Sequence, residues 1–113
     1  MEFDTDFYQL RQFLETSNQL TNARKKGNCR VWSSLARDVI WQYASERQRI
    51  WQVQVREVEI EPYLSHTFLR LICDGHFFLL DGTGVSNYPE YYGLESEAPS
   101  HLQNSHQDWI DRI

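Results

Sequence analysis

The dipeptide Asp74-Gly75 lies between two apolar runs, His66 to Cys73 and His76 to Asp81, and constrains this chain more than any other feature. A two-residue type I′ turn needs positive φ at both central positions, which Asp and Gly tolerate, so the two runs are read as a β-hairpin. The turn then fixes a register by counting. With Cys73 opposite His76, Ile72 faces Phe77, Arg70 faces Leu79, Phe68 faces Asp81 and His66 faces Thr83. Facing residues share a side of a sheet, as do residues two apart on a strand, so His66 and Asp81 are expected as diagonal neighbours on one face.

Upstream, Phe3, Phe7, Leu10 and Leu14 recur at helical spacing, with Asp4 and Thr5 as caps, which predicts an amphipathic helix over about residues 5 to 18. Asn22 to Gly27 is polar and basic (Arg24, Lys25, Lys26) and reads as a loop. A second helix follows, in which Val31, Trp32, Leu35, Ala36, Val39, Ile40 and Tyr43 form an apolar stripe. From Ile50 to Ile60 the period is two: Trp51, Val53 and Val55 alternate with polar residues, then Val58 and Ile60 take the opposite phase. That slip predicts a β-bulge near Arg56 and Glu57, or a strand that bends and changes neighbours. Beyond Gly82 turn residues and tyrosines dominate, with a short helix expected over about residues 107 to 113. The expected fold class is α+β, with two N-terminal helices packed on an antiparallel sheet of at least three strands. Pro62, Pro89 and Pro99 fall where the pattern breaks, and with no repeat or linker, residues 1 to 113 are read as one domain.

Eleven Lys plus Arg against sixteen Asp plus Glu give a net charge of −5, which opposes attraction to phosphate backbones and argues against nucleic acid as a partner. An aromatic content of 14%, including four Trp, supplies a core without metal or disulfide staples. The N-terminus lacks the basic and apolar regions of a signal peptide. The longest apolar run, Phe77 to Leu80, falls far short of the ~20 residues of a membrane span. Two cysteines make at most one disulfide, and the expectation is a reduced, cytoplasmic protein with no membrane association and no cofactor.

Cys29 opens the second helix, preceded by Gly27 and Asn28. Free N–H groups and the positive dipole end of a helix favour thiolate, and Arg24, Lys25, Lys26 and Arg30 push the same way. Cys29 also extends the stripe of Trp32, Ala36 and Ile40, so the helix is expected to carry its thiol toward the sheet face that bears His66 and Asp81. A sulfur nucleophile, an imidazole and an orienting carboxylate then converge. The Cys29 backbone N–H is the physical candidate for an oxyanion donor, with Gln19 or Asn28 as side-chain alternatives.

These residues resemble a family. Gly27-Asn28-Cys29-Arg30-Val31-Trp32-Ser33-Ser34-Leu35, then His66, then Asp81-Gly82-Thr83, looks like the transglutaminase-like branch of the papain-like thiol enzymes, and the papain-fold domains of bacterial deamidating toxins share the Cys, His, Asp order. The resemblance covers about residues 27 to 84 and implies Cys29 as nucleophile, His66 as acid/base and Asp81 as orienting carboxylate. It implies a papain-like core and acyl transfer on a protein or peptide amide by hydrolysis, deamidation or transglutamination. The chain departs from the family where His66-Thr67-Phe68 replaces the frequent His-Ala-Trp.

Other readings compete with this one. Cys29 serves equally as a small buried hydrophobe, His66 as an edge-strand residue and Asp81 as a turn former, which describes a non-catalytic interaction or inhibitor protein. Gly82-x-Gly84 lacks the following helix of a phosphate cradle, and Cys73 with His76 is too sparse for zinc. His101 and His106 are read as surface residues. Tyr88, Tyr91 and Tyr92 form either a cleft wall or a tail packed over an open sheet edge.

Overall fold

The computed structural model describes residues 2–85 and 87–107. Three α-helices come first, α1 (Glu2–Thr16), α2 (Asn18–Lys25) and α3 (Cys29–Glu46). Five strands follow: β1 (Gln52–Glu61), β2 (Leu64–Cys73), β3 (His76–Asp81), β4 (Tyr91–Leu94) and β5 (His106–Gln107), with 3-10 turns at Glu95–Glu97 and Ser100–Leu102. They form one antiparallel sheet in the order β4-β3-β2-β1-β5. The fold is α+β as expected, with three α-helices among the described residues where two were read ahead of the sheet. Among the described residues no helix is long and apolar enough to cross a membrane.

The hairpin stands where the turn chemistry puts it. Asp74 (φ 53) and Gly75 (φ 80) both take positive φ, and Cys73 pairs with His76, Ile72 with Phe77 and Arg70 with Leu79. The helices pack on one face of the sheet, where Leu10, Leu14, Trp32, Ala36, Ile40 and Tyr43 meet Val53, Val55, Leu69, Leu71, Phe78 and Leu80. Val58, Phe68, Leu79 and Leu102 form a second cluster on the opposite face, beneath the C-terminal segment. This second layer corrects the bulge expected at Arg56 and Glu57. β1 pairs with β2 without interruption from Gln52 to Glu59, and the register shifts only between Glu59 and Glu61. The hydrophobic phase changes because a different face is covered at each end of the strand, so burial moves from one side to the other while the backbone alternates normally.

Two further corrections concern the helices. The expected loop at residues 22 to 27 is mostly helix, since α2 runs to Lys25; it buries only Leu20 and Ala23, too few apolar positions to show a stripe. The first helix begins at Glu2, ahead of the caps expected at Asp4 and Thr5, and stops at Thr16. The helix expected over residues 107 to 113 lies outside the described residues, save Gln107, which belongs to β5. The tyrosine-rich tail supplies an edge strand: β4 pairs with β3 through Tyr92 opposite Leu80 and Tyr91 opposite Asp81.

Candidate functional site

The α2–α3 joint holds the thiol in place. Gly27 N–H donates to Arg24 O at 3.0 Å and Asn28 N–H to Ala23 O at 3.1 Å, the paired bonds that close a helix around a left-handed glycine, here Gly27 at φ 64. Asn28 then caps α3, its side chain accepting from Val31 N–H at 3.2 Å. One residue thus ends α2 and begins α3, and Cys29 follows it, half-buried, with a free thiol.

The sheet opens to receive that thiol. β2–β3 pairing stops at Leu69–Leu80. Two pairs further on, Thr67 and Gly82 would face each other, but the first turn of α3 meets them instead. Cys29 contacts Thr67, and the Trp32 indole lies against Gly82 so closely that any Cβ there would collide with it. The sulfur lies close enough to the His66 ring and to the main chain and hydroxyl of Thr67 for all three to favour its thiolate form. His66 and Thr67 are consecutive strand residues whose side chains leave on opposite faces, so the sulfur lies at the opened edge of β2 rather than over either face. This corrects the expected docking: the body of α3 covers the face of Leu69 and Leu71, whereas His66 and Asp81 belong by alternation to the other face.

His66 Nε2 and Asp81 Oδ2 lie 2.9 Å apart. Neither atom makes a well-aligned hydrogen bond with any described residue, so the contact is a close buried ion pair rather than an aligned hydrogen bond. The other carboxylate oxygen of Asp81 accepts from Thr83 N–H at 3.3 Å and Gly84 N–H at 3.1 Å, which fixes the carboxylate plane. With Nε2 turned to Asp81, Nδ1 is the ring nitrogen left for the sulfur. Burial alone would lower the His66 pKa, but its contacts with Asp81 and Cys29 outweigh this and push it up to about 9. Burial alone would raise the Cys29 pKa; its contacts with His66 and Thr67 reverse that, and the thiol is held below its ordinary value. The charged form of each group thus favours the charged form of the other.

All three residues singled out in the sequence are brought together. Thr67 was not foreseen, because alternation puts it on the opposite face from His66; its only sequence signal is a position next to that histidine. The Cys29 N–H, expected to be an oxyanion donor, is engaged instead with Gly27 O at 3.1 Å. His101, expected on the surface, is half-buried and stacks on Tyr88 at 3.9 Å, with both ring nitrogens shielded from solvent. Arg24, near the end of α2, pairs with Glu90 of the tyrosine-rich segment at 3.3 Å. Among the described residues no three His, Cys, Asp or Glu side chains converge as metal ligands do. Comparison with family models, curated proteins and solved structures returned no match to this chain.

Proposed function

We propose that this protein is a cysteine-dependent acyl-transfer enzyme with a papain-like, transglutaminase-like core, acting on an amide of a protein or peptide. The observation that carries the reading is the chain of contacts from the Cys29 sulfur to the His66 ring and on to the Asp81 carboxylate, drawn from three separate elements. Cys29 thiolate attacks the carbonyl carbon, and His66 gives its Nδ1 proton to the departing amine or ammonia, leaving a thioester. His66, now neutral, takes a proton from water or an amine as that nucleophile attacks, and collapse of the second adduct breaks the S–C bond and restores the thiolate beside the imidazolium. Asp81 keeps the imidazole in the required tautomer and favours its charged form. Water as the second nucleophile gives hydrolysis or deamidation; an amine gives crosslinking.

The test is the alkylation rate of Cys29 by iodoacetamide in a Cys73→Ala protein, measured at pH 6 against glutathione. An ordinary thiol is almost wholly protonated there, so an activated Cys29 reacts at least tenfold faster, about the effect of one pKa unit. A rate no greater than that of glutathione removes the catalytic reading and leaves the interaction protein.

A further inference from the structure

Asp81 is held by the loop that follows it, and that loop is held in turn by the C-terminal segment. Thr83 and Gly84 N–H donate to Asp81 Oδ1. Gly84, at φ 65, lies so close under the next turn that a Cβ there would come within 2.7 Å of Tyr88 O. Tyr88 closes that turn on Val85, its N–H donating to Val85 O at 2.8 Å and its carbonyl accepting from Val85 N–H at 3.0 Å. The Tyr88 ring then stacks on His101, with centroids 3.9 Å apart and planes within 22° of parallel. His101 belongs to the 3-10 turn Ser100–Leu102, which is anchored by Leu102 in the buried cluster with Phe68, and the Phe68 ring lies 6.1 Å from that of His66. Both nitrogens of His101 are shielded and have no hydrogen-bond partner among the described residues, and the charges of Asp81 and His66 reach the ring. Burial holds its pKa below the ordinary value, against the opposite pull of Asp81, so His101 is neutral near pH 7.

We propose that the stacked rings of Tyr88 and His101 are a positioning pair for this site, fixing through the Val85–Tyr88 turn and Gly84 where the Asp81 carboxylate stands against His66. Its bearing on catalysis rests on the acyl-transfer reading of Cys29, His66 and Asp81. Asp81 Oδ2 meets His66 Nε2 as a close buried ion pair without hydrogen-bond alignment, so their coupling depends on how near the two groups are held. Tyr88 and His101 act on the imidazole through Asp81. The stack uses the His101 ring as a flat surface. With neither nitrogen engaged, a phenyl ring of similar size serves as well, whereas alanine leaves the Tyr88 ring without its support. Tyr88 is 43% exposed, so its truncation does not open the core.

The readout is the His66 pKa, followed by NMR of the imidazole Cε1–H and assigned by the signal lost in His66→Gln. In Tyr88→Ala and His101→Ala it is expected to fall from about 9 by on the order of one unit, the scale on which a nearby opposite charge acts. Alkylation of Cys29 by iodoacetamide at pH 6 is expected to slow in the same variants. His101→Phe should keep both at wild-type values, with a melting temperature no lower, since it removes two buried nitrogens that lack partners. Circular dichroism shows which variants are folded, and Tyr88→Leu, which fills part of the space without a flat ring, replaces any that is not. An unchanged His66 pKa in the folded variants, whatever their melting temperatures, reduces the stack to packing and overturns the proposal. So does a His101→Phe protein that behaves as His101→Ala does. A His66 pKa that falls as expected, in a protein whose wild-type Cys29 alkylates no faster than glutathione, overturns the acyl-transfer reading alone and leaves the stack as the support of the ion pair.

Discussion

His66 Nε2 meets Asp81 Oδ2 at 2.9 Å across the β2–β3 hairpin, with both side chains only 1% exposed. The carboxylate is anchored from behind by Thr83 and Gly84, and the imidazole reaches forward to the Cys29 sulfur. Charge placed on Asp81 is therefore felt at Cys29 through one ring. An isolated buried histidine would shed its proton; this one keeps it because both neighbours favour the cation.

Asp81→Asn retains the oxygen that accepts from Thr83 and Gly84 but presents an uncharged amide to His66. The imidazolium loses its main partner, the His66 pKa falls from about 9, and the thiolate loses its counter-charge. The alkylation rate of Cys29 at pH 6 to 7 is expected to drop about tenfold for each unit that the thiol pKa climbs. Asp74→Asn, in the turn, is the control and should leave the rate profile in place. Superimposable profiles for Asp81→Asn and wild type would mean that Asp81 only ends a strand.

The Thr67 hydroxyl also supports the thiolate. Thr67→Val keeps the branched shape and the main-chain N–H while removing the hydroxyl. Its alkylation rate at pH 6 is expected to fall, but by less than in Asp81→Asn, because the His66 ring and the main-chain donor remain. A fall as large as that of Asp81→Asn would make Thr67, not the imidazole, the main support of the thiolate.

The pH dependence of stability carries a sign. His66 binds its proton more tightly folded than unfolded, so its contribution is full below its ordinary pKa of 6.5 and is lost as pH rises through about 9. The Cys29 contribution runs the other way, present above its ordinary value and lost as pH falls through its lowered one. Cys29→Ser removes the second effect and exposes the first, although it also weakens the support of His66. Between pH 6 and 9 its melting temperature is expected to fall more than that of the Cys29→Ser, Asp81→Asn double variant. Equal slopes would remove the imidazolium–carboxylate pair as a source of stability.

The site was more legible in the sequence than the layers around it. Asp74-Gly75 sets the hairpin register locally, and a register carries side chains to fixed places, so His66 and Asp81 follow from counting alone. Cys29 was marked by Gly27 and Asn28, whose turn and cap are also local. What failed was long-range: Val58 and Ile60 changed phase because the C-terminal segment covers the far face, and no local pattern announces that cover. The same blindness put α3 on the wrong side of the sheet relative to His66. The opening between Thr67 and Gly82 lies where the Trp32 indole packs against Gly82, a contact that sequence spacing does not measure.

Trp32 is 2% exposed, lies against Gly82 and meets Tyr92 edge-on with centroids 6.2 Å apart. Trp32→Ala is expected to cost about 3 to 5 kcal/mol. Cys29→Ser, close in shape and at a half-buried position, should cost less than about 1 kcal/mol while abolishing alkylation at this site. A comparable loss of melting temperature in both would make Cys29 a core residue rather than a nucleophile.

Gly82 stands between Asp81 and Thr83, so bulk added there bears on stability and on the site together. Gly82→Ala sets a methyl against the buried Trp32 indole, and overpacking of this kind costs about 1 to 3 kcal/mol. Because Asp81 precedes it on the same strand end, the displaced backbone should also carry the carboxylate away from His66 and slow Cys29 alkylation near neutral pH. If the indole is the cause, removing it relieves the clash: Gly82→Ala in a Trp32→Ala background should cost less than it does in wild type, a coupling of about 0.5 to 3 kcal/mol. Chemical denaturation of the four proteins in this cycle measures the coupling. Strictly additive costs would mean that Gly82 is required for its backbone rather than for the indole, and that Trp32 does not hold the strand end open.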